Sequence, residues 1–214
     1  EQHMATFGSM ENIIRTKYEL IESLPPDGTA FFNAKNKYCR ELYEKAKIKK
    51  ILYGQTAAFM GEENILGAMA VAKELGMTQE EIIKIYDKIE NKFGGINLQK
   101  GINGINIVDA TYSANPDSII AHLEYFRNNP GKKVIIMPCL IELGKASSEV
   151  HKRIGQKIRE VCDLAIITTK DRFKEINETA GDKAVFLEKS DEIFEKIKNT
   201  TKSGDVVLLE SRIP

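Results

Sequence analysis

The chain has 214 residues, enough for one large domain or two small ones, each able to bury a core of its own. Its 31 basic residues balance 31 acidic ones, so no net charge draws it toward nucleic acid or an anionic membrane. Apolar residues make up 42% and charged residues 29%, an ordinary globular composition, with no apolar run near the roughly 18 residues that span a bilayer and no visible signal peptide.

Apolar spacing predicts the elements in order. Ile13, Ile14, Leu20 and Ile21 recur through residues 10–22 with charges between them, which predicts a helix ending before the turn Pro25-Pro26-Asp27-Gly28. Residues 29–33 read as a short buried strand, 37–46 as a helix and 50–54 as a second strand. Residues 63–75, with Ala68, Ala70 and Ala72 and closed by Gly76, read as a helix. Thr78 with Glu81 three residues on makes a capping box for another that runs to about Lys92. Residues 93–104, rich in glycine and asparagine, read as the connection between two domains, 1–93 and 94–214.

Beyond it the alternation is regular. Strands are expected at 105–110, 133–137, 164–168, 184–187 and 206–209, with helices at 116–127, 147–161, 171–179 and 191–200. Short continuous apolar strands separated by amphipathic helices imply an α/β fold: a Rossmann-like, doubly wound and mostly parallel sheet covered on both faces. Ligands of such sheets bind outside the carboxyl ends of the strands. Those ends carry residues 109–115, 138–144, 169–171 and 210–212. No repeat and no low-complexity segment interrupts the pattern.

Three groups of residues invite a chemical reading. Asp109-Ala110-Thr111-Tyr112-Ser113-Ala114-Asn115-Pro116-Asp117-Ser118 spans a strand-to-helix turn, where Asn115 or Asp117 suits the N-cap and Pro116 the first turn. Free N–H groups there would favour a phosphate or carboxylate, and the same residues equally suit a capped loop without a ligand. Met137-Pro138-Cys139-Leu140-Ile141-Glu142-Leu143-Gly144 precedes a helix that carries His151, and a lone histidine or glutamate in such a place is ordinarily structural or solvated. His3 and Lys17 stand fourteen residues apart, a plausible metal ligand and a normally solvated cation. The chain contains no Gly-rich phosphate loop, no zinc-like cluster and no Ser-His-Asp pattern. Cys39, Cys139 and Cys162, odd in number and without metal spacing, suit buried thiols in a reducing cytoplasm.

Together these pieces resemble the Mur ligases. Residues 109–118 look like that family's Asp-Asp-Ser-Tyr-Asn-Ala-Asn-Pro-Asp-Ser motif, and Glu142-Leu143-Gly144 with His151 like its Glu-Leu-Gly…His segment. Residues 204–209 followed by Ser211-Arg212 are similar to its final strand, Gly-Asp-Val-Val-Leu-Val-Lys-Gly-Ser-Arg-Gly. Upstream, His3, residues 7–13 and Lys17 are similar to the end of the family's ATPase core, as are residues 24–28 and Asn33-Ala34. Asn64-Ile65-Leu66 with Ala68 resembles a helix opening of the type His-Asn-x-x-Asn-Ala.

The resemblance implies a carboxylate phosphorylated with ATP and magnesium, followed by attack of an amine on the acyl phosphate, in cytoplasmic synthesis of a peptidoglycan precursor. Such catalysis is mainly positioning and charge neutralisation. It implies that His3 binds magnesium and that Lys17, when carbamylated, becomes an anion that helps hold it. It implies cofactor contacts for Asn64, Asp109 and Tyr112, and substrate contacts for Asn115, Glu142 and Arg212. The implied partners are a UDP-muramoyl peptide and an amino acid or dipeptide, with no nucleic acid and no membrane, and the implied state is a monomer.

The departures fall on nucleotide-facing positions. The family's histidine before Asn64 is Glu63, its adenine-recognising asparagine is Gly67, its interdomain arginine falls at Gly95, the ribose-holding aspartate is Ala110, and an acidic pair is Lys35-Asn36. Only nine residues separate Gly54 from Asn64, where relatives carry a longer insert. Both termini read as cut, so a piece of a longer ligase is expected, with a ligase-like binding or scaffold protein that has lost ATP chemistry as the alternative. On either reading the 214 residues alone should not turn over ATP.

Overall fold

The structure, a computed structural model, describes residues 3–57, 61–88, 97–112 and 114–212. They belong to two compact units, residues 10–94 and residues 1–9 with 95–214. In chain order the helices are α1 (Met4–Phe7), α2 (Met10–Glu22), α3 (Lys37–Lys45), α4 (Glu62–Glu74), α5 (Gln79–Tyr86), α6 (Pro116–Phe126), α7 (Ser147–Val161), α8 (Phe173–Ala180) and α9 (Ser190–Thr200). The strands are β1 (Thr29–Asn33), β2 (Lys49–Tyr53), β3 (Asn97–Lys100), β4 (Asn106–Ala110), β5 (Lys133–Met137), β6 (Leu164–Ile167), β7 (Ala184–Phe186) and β8 (Val206–Glu210).

In the unit of residues 10–94, β1 and β2 pair in parallel, with Thr29 opposite Lys49 and Asn33 opposite Tyr53. Its core is small. Ala30, Phe32 and Ala46 are buried, and Tyr18, Ile21, Leu24, Leu42 and Tyr43 pack around them. The Phe32 and Tyr43 rings meet edge to face at 5.8 Å. Local chemistry sets the helix ends. Asn36 Oδ1 accepts from the N–H groups of Tyr38 and Cys39 at 2.9 and 3.2 Å, which starts α3. Lys50 Nζ donates to the carbonyls of Tyr43 and Ala46 where α3 ends, placing a cation at the negative end of the helix. Thr78 and Glu81 form the expected capping box. The helix they start ends at Tyr86, and the rest of its expected run to Lys92 passes beyond residue 88, outside the described residues.

The other unit holds a six-stranded sheet of order β3-β4-β8-β5-β6-β7. All its pairings are parallel except β3 with β4. β8, last in the chain, inserts between β4 and β5, so the β4-α6-β5 crossover spans it. Alternation along the strands sorts residues by face. Val134, Ile136, Leu164, Ile166 and Val207 join Ile193 of α9 in one cluster. Their neighbours Val108, Ile135, Met137 and Leu208 point the other way and are buried, as are Ile119, Ile154 and Ile158 of α6 and α7. At the opposite end of the sheet from the strands' carboxyl ends, Asp205 accepts from the N–H groups of Lys132 and Lys202, both at 2.9 Å, and ties two loops together.

One strand corrects the sequence reading. Residues 97–100 were expected in a connection, but they pair with β4 as an antiparallel edge, Leu98 opposite Val108. Leu98, Gln99 and Lys100 are exposed, so no alternation of burial marks the strand. The Gly101 N–H bonds the Ile105 carbonyl at 2.9 Å where the chain turns from β3 toward β4. The helices expected from 171 and 191 start at Phe173 and Ser190.

Candidate functional site

The carboxyl ends of β4, β5, β6 and β8 open into a cleft of about 460 Å³. Its walls are Tyr112, Asn115 and Pro116 after β4, residues 138–143 after β5, Thr169 and Asp171 after β6, and Ser211 and Arg212 after β8. This is where a doubly wound sheet offers a ligand its loops and helix ends.

Each wall has a local cause. Asp109 Oδ1 accepts from both the N–H and the hydroxyl of Thr111, at 3.0 and 2.6 Å, and turns the chain out of β4. Those bonds, the hydroxyl first, hold the Asp109 carboxyl below its ordinary range. Tyr112 then stands 92% exposed at the rim. Asn115 caps α6, accepting from the N–H groups of Asp117 and Ser118 at 3.1 and 2.9 Å, while Ser118 Oγ accepts from the Asn115 N–H. Pro116 has no N–H and Ile119 N–H bonds the Asn115 carbonyl, so the expected free donors at this helix end are already used. What α6 offers the cleft is the positive end of its dipole and the Asn115 amide group.

The loop after β5 is held from behind. His151 is fully buried. Its Nδ1 donates to the Ser147 carbonyl at 2.6 Å and its Nε2 accepts from the Leu140 N–H at 3.0 Å. Burial pushes its pKa below the usual histidine value, so the ring is a neutral, fixed tautomer that shapes the wall. Cys139 is held likewise. Its N–H donates to Thr169 Oγ1 at 2.8 Å, and burial pushes its thiol up, which makes it a poor nucleophile.

Glu142 is the strained point of the cleft, with φ of 62° in the left-handed region that a non-glycine residue rarely occupies. Its carbonyl accepts from the Ala5 N–H at 3.0 Å, and its Oε2 meets His3 Nδ1 at 2.6 Å. Gly144 lets α1 sit there, since a Cβ on it would come within 3.2 Å of the Ala5 backbone. The fold therefore joins two residues that the sequence reading considered apart. Ser211, at φ 59°, turns the chain after β8 and presents Arg212, exposed, to the same cleft.

Thus His3, Asp109, Tyr112, Asn115, Glu142 and Arg212 share the sheet unit. Lys17, exposed on α2, and Asn64, exposed in the first turn of α4, belong to the other. Sequence reasoning placed 169–171 and 210–212 at the strands' carboxyl ends but gave Thr169, Asp171 and Glu210 no role, and it missed His122, buried behind the wall against Glu210. The signal for His122 is its place on the apolar stripe of α6, between Ile119 and Leu123.

The positions at which the resemblance implies nucleotide contacts are occupied otherwise. A Cβ on Gly67 would fall 2.9 Å from Cε2 and 3.0 Å from Cζ of Tyr53, so the tyrosine ring fills the place of a larger side chain. The Asn36 carbonyl oxygen is spent on capping α3, and Ala110 is buried in register with Glu210. Gly95 lies outside the described residues. These positions do not fit an adenine nucleotide. Among the described residues no group of three or more histidines, cysteines or carboxylates gathers to hold a metal. No helix among them is long and apolar enough to cross a membrane.

Comparison with known proteins agrees with the topology. Residues 1–97 match the Mur ligase middle domain and residues 96–212 the Mur ligase glutamate ligase domain. The UDP-N-acetylmuramoyl-tripeptide–D-alanyl-D-alanine ligase of Haemophilus influenzae is 22% identical over 191 residues, 74% of this chain and 42% of that protein. Its Bacillus subtilis counterpart is 21% identical over 247 residues, 99% of this chain and 54% of that protein. The chain spans about half the length of the curated relatives it matches. MurF from Thermotoga maritima, solved in complex with ADP, superposes with a TM-score of 0.79 at 21% identity, covering 98% of this chain and 56% of that one. MurF from Acinetobacter baumannii gives 0.81 at 21%, covering 99% and 54%. At these identities the structures show the shared α/β fold.

Proposed function

The chain belongs to the Mur ligase family, which ligates peptidoglycan precursors with ATP, and from that premise we propose that it serves amide-bond formation as the acceptor side of such an enzyme. The observation that carries this is the cleft at the carboxyl ends of β4, β5, β6 and β8, with Arg212 and the positive end of α6 on its walls. Arg212 would hold the carboxylate of an incoming amino acid or dipeptide, with Asn115 and Glu142 beside it. The relatives' names make D-alanyl-D-alanine the first amine to test and a UDP-muramoyl peptide its partner. The domain division near residue 93, the cytoplasmic setting and the monomeric state belong to the same proposal.

ATP and magnesium enter only through family membership. In that reading His3, carbamylated Lys17, Asn64, Asp109 and Tyr112 would serve them, together with a phosphate loop that these 214 residues do not contain. Positions 36, 67 and 110 do not fit the nucleotide. Gly67 beneath the Tyr53 ring favours a second reading, a Mur-ligase-like binding protein that keeps the amine-side cleft and has lost ATP chemistry.

Magnesium-dependent ATP titration of the intact protein separates the two. Saturable binding with phosphate release on adding both substrates supports the ligase. Absence of nucleotide binding, with the dipeptide still bound, supports the binding protein. Failure to bind any amino acid or dipeptide contradicts both.

A further inference from the structure

Behind the cleft wall lies a polar pair that the proposed function does not use. His122 sits on the inward face of α6, two turns past Asn115 and Pro116, and is 4% exposed. Glu210 ends β8 and is 0% exposed. His122 Nδ1 is hydrogen-bonded to Glu210 Oε1, and among the described residues Glu210 Oε2 finds no hydrogen-bond partner. On the same face Val108, Ile119, Leu123 and Leu208 are buried. A carboxyl group in such surroundings with one oxygen unpaired gains little over an apolar pair of the same volume. Its effect is better sought in geometry than in stability.

The geometry is specific. α6 begins at one wall of the cleft, with Asn115 and Pro116. β8 runs directly into the other, with Ser211 and Arg212. The His122–Glu210 bond joins that helix to the last residue of that strand. Apolar contacts fix a helix on a sheet by shape alone, whereas a buried hydrogen bond adds a directional constraint. The Ser211 N–H also donates to the Ala110 carbonyl at 3.2 Å, so a main-chain bond past the end of β8 joins the side-chain bond in holding the chain that presents Arg212.

We propose that His122 and Glu210 are positioning residues whose buried bond sets where Arg212 stands relative to the first turn of α6, and so sets the affinity of the cleft for a carboxylate-bearing amino compound. The affinity part rests on the reading of the cleft given above.

The test uses the 214-residue chain, with D-alanyl-D-alanine as probe and amide hydrogen exchange at Ser211 and Arg212 as a ligand-free readout. Glu210→Gln keeps a hydrogen-bonding group, and its affinity should stay within about twofold of the parent. Glu210→Leu with His122→Leu should fold with undiminished stability, yet bind at least about tenfold more weakly and exchange faster at both amides. Should that pair of substitutions not fold, Glu210→Gln with His122→Leu takes its place, with the same expectations for binding and for exchange. The ring nitrogen spectrum of His122 in the parent should show a bonded Nδ1. An apolar variant that binds and exchanges as the parent does, or a His122 ring without a bonded Nδ1, overturns the proposal. If the parent itself binds no dipeptide, the reading of the cleft fails, and the exchange at Ser211 and Arg212 alone decides the positioning role. Faster exchange in the apolar variant upholds it and unchanged exchange overturns it.

Discussion

The two units of this chain handle polar side chains in opposite ways. In the six-stranded sheet, β6 is buried along its whole length and β5 nearly so, and that core also encloses His122, His151, Asp205 and Glu210. In the unit of residues 10–94, the paired strands bury only Ala30 and Phe32, and polar residues go to helix caps and edges. A wide sheet covered on both faces can fix polar groups from several directions, and here it builds a cleft at one end. A two-stranded pair has little enclosed volume in which to do so. The difference is that the sheet unit buries and fixes polar side chains, while positions 36 and 67 of the smaller unit, where the resemblance implies nucleotide-facing residues, serve capping and packing.

The comparison breaks most readily at the buried pair. His122→Leu alone leaves Glu210 buried without a partner, and urea denaturation should show a loss of about 3 to 5 kcal/mol. A loss under about 0.5 kcal/mol, the range of ordinary surface changes, would mean that the sheet unit does not fix polar groups as described.

The next effect is one of pH. Burial depresses His151 below 6.5, so the folded state binds fewer protons than the unfolded chain there. The stability this ring contributes is therefore fully present above about 6.5 and is lost as pH falls toward the folded value. His151→Gln, whose amide can bond the Ser147 carbonyl and the Leu140 N–H without titrating, should flatten that part of the curve relative to the parent. Parallel stability curves for the two proteins would contradict the assignment.

Smaller effects are expected in the other unit. Asn36→Ala removes the cap of α3 and should cost about 1 kcal/mol by thermal denaturation. Gly67→Ala sets two terms against each other. Helix propensity favours alanine by about 1 kcal/mol, while overlap with the Tyr53 ring costs about 1 to 3 kcal/mol. The net loss should be about 1 kcal/mol, and Gly67→Ala should become stabilising when measured in a Tyr53→Ala background. A Gly67→Ala variant more stable than its parent would show that the ring does not fill the position.

Much of this was legible in the sequence, for physical reasons that also mark what was not. The parallel strands carry continuous apolar runs, and the capping box at Thr78 and the Asn115-Pro116 helix start are local chemistry within a few residues. The motif at 109–118 could be placed at a strand's carboxyl end from periodicity alone. β3 was not legible, because Leu98, Gln99 and Lys100 are all exposed and show no alternation of burial. The meeting of His3 with Glu142 joins residues 139 apart, and that of His122 with Glu210 joins residues 88 apart. No local pattern encodes such contacts, and only the β8 insertion between β4 and β5 brings the second pair together. The sequence also left open whether Asn115 caps or binds. Its cap uses the carbonyl oxygen.

The most direct measurement is a pair of amide NMR titrations on the 214-residue chain, one with D-alanyl-D-alanine and one with magnesium ATP. The dipeptide should shift Asn115, Thr169 and Arg212, and ATP should leave Asn64 and Gly67 unmoved. ATP shifts at Asn64 and Gly67, with no response of the cleft to the dipeptide, would contradict it.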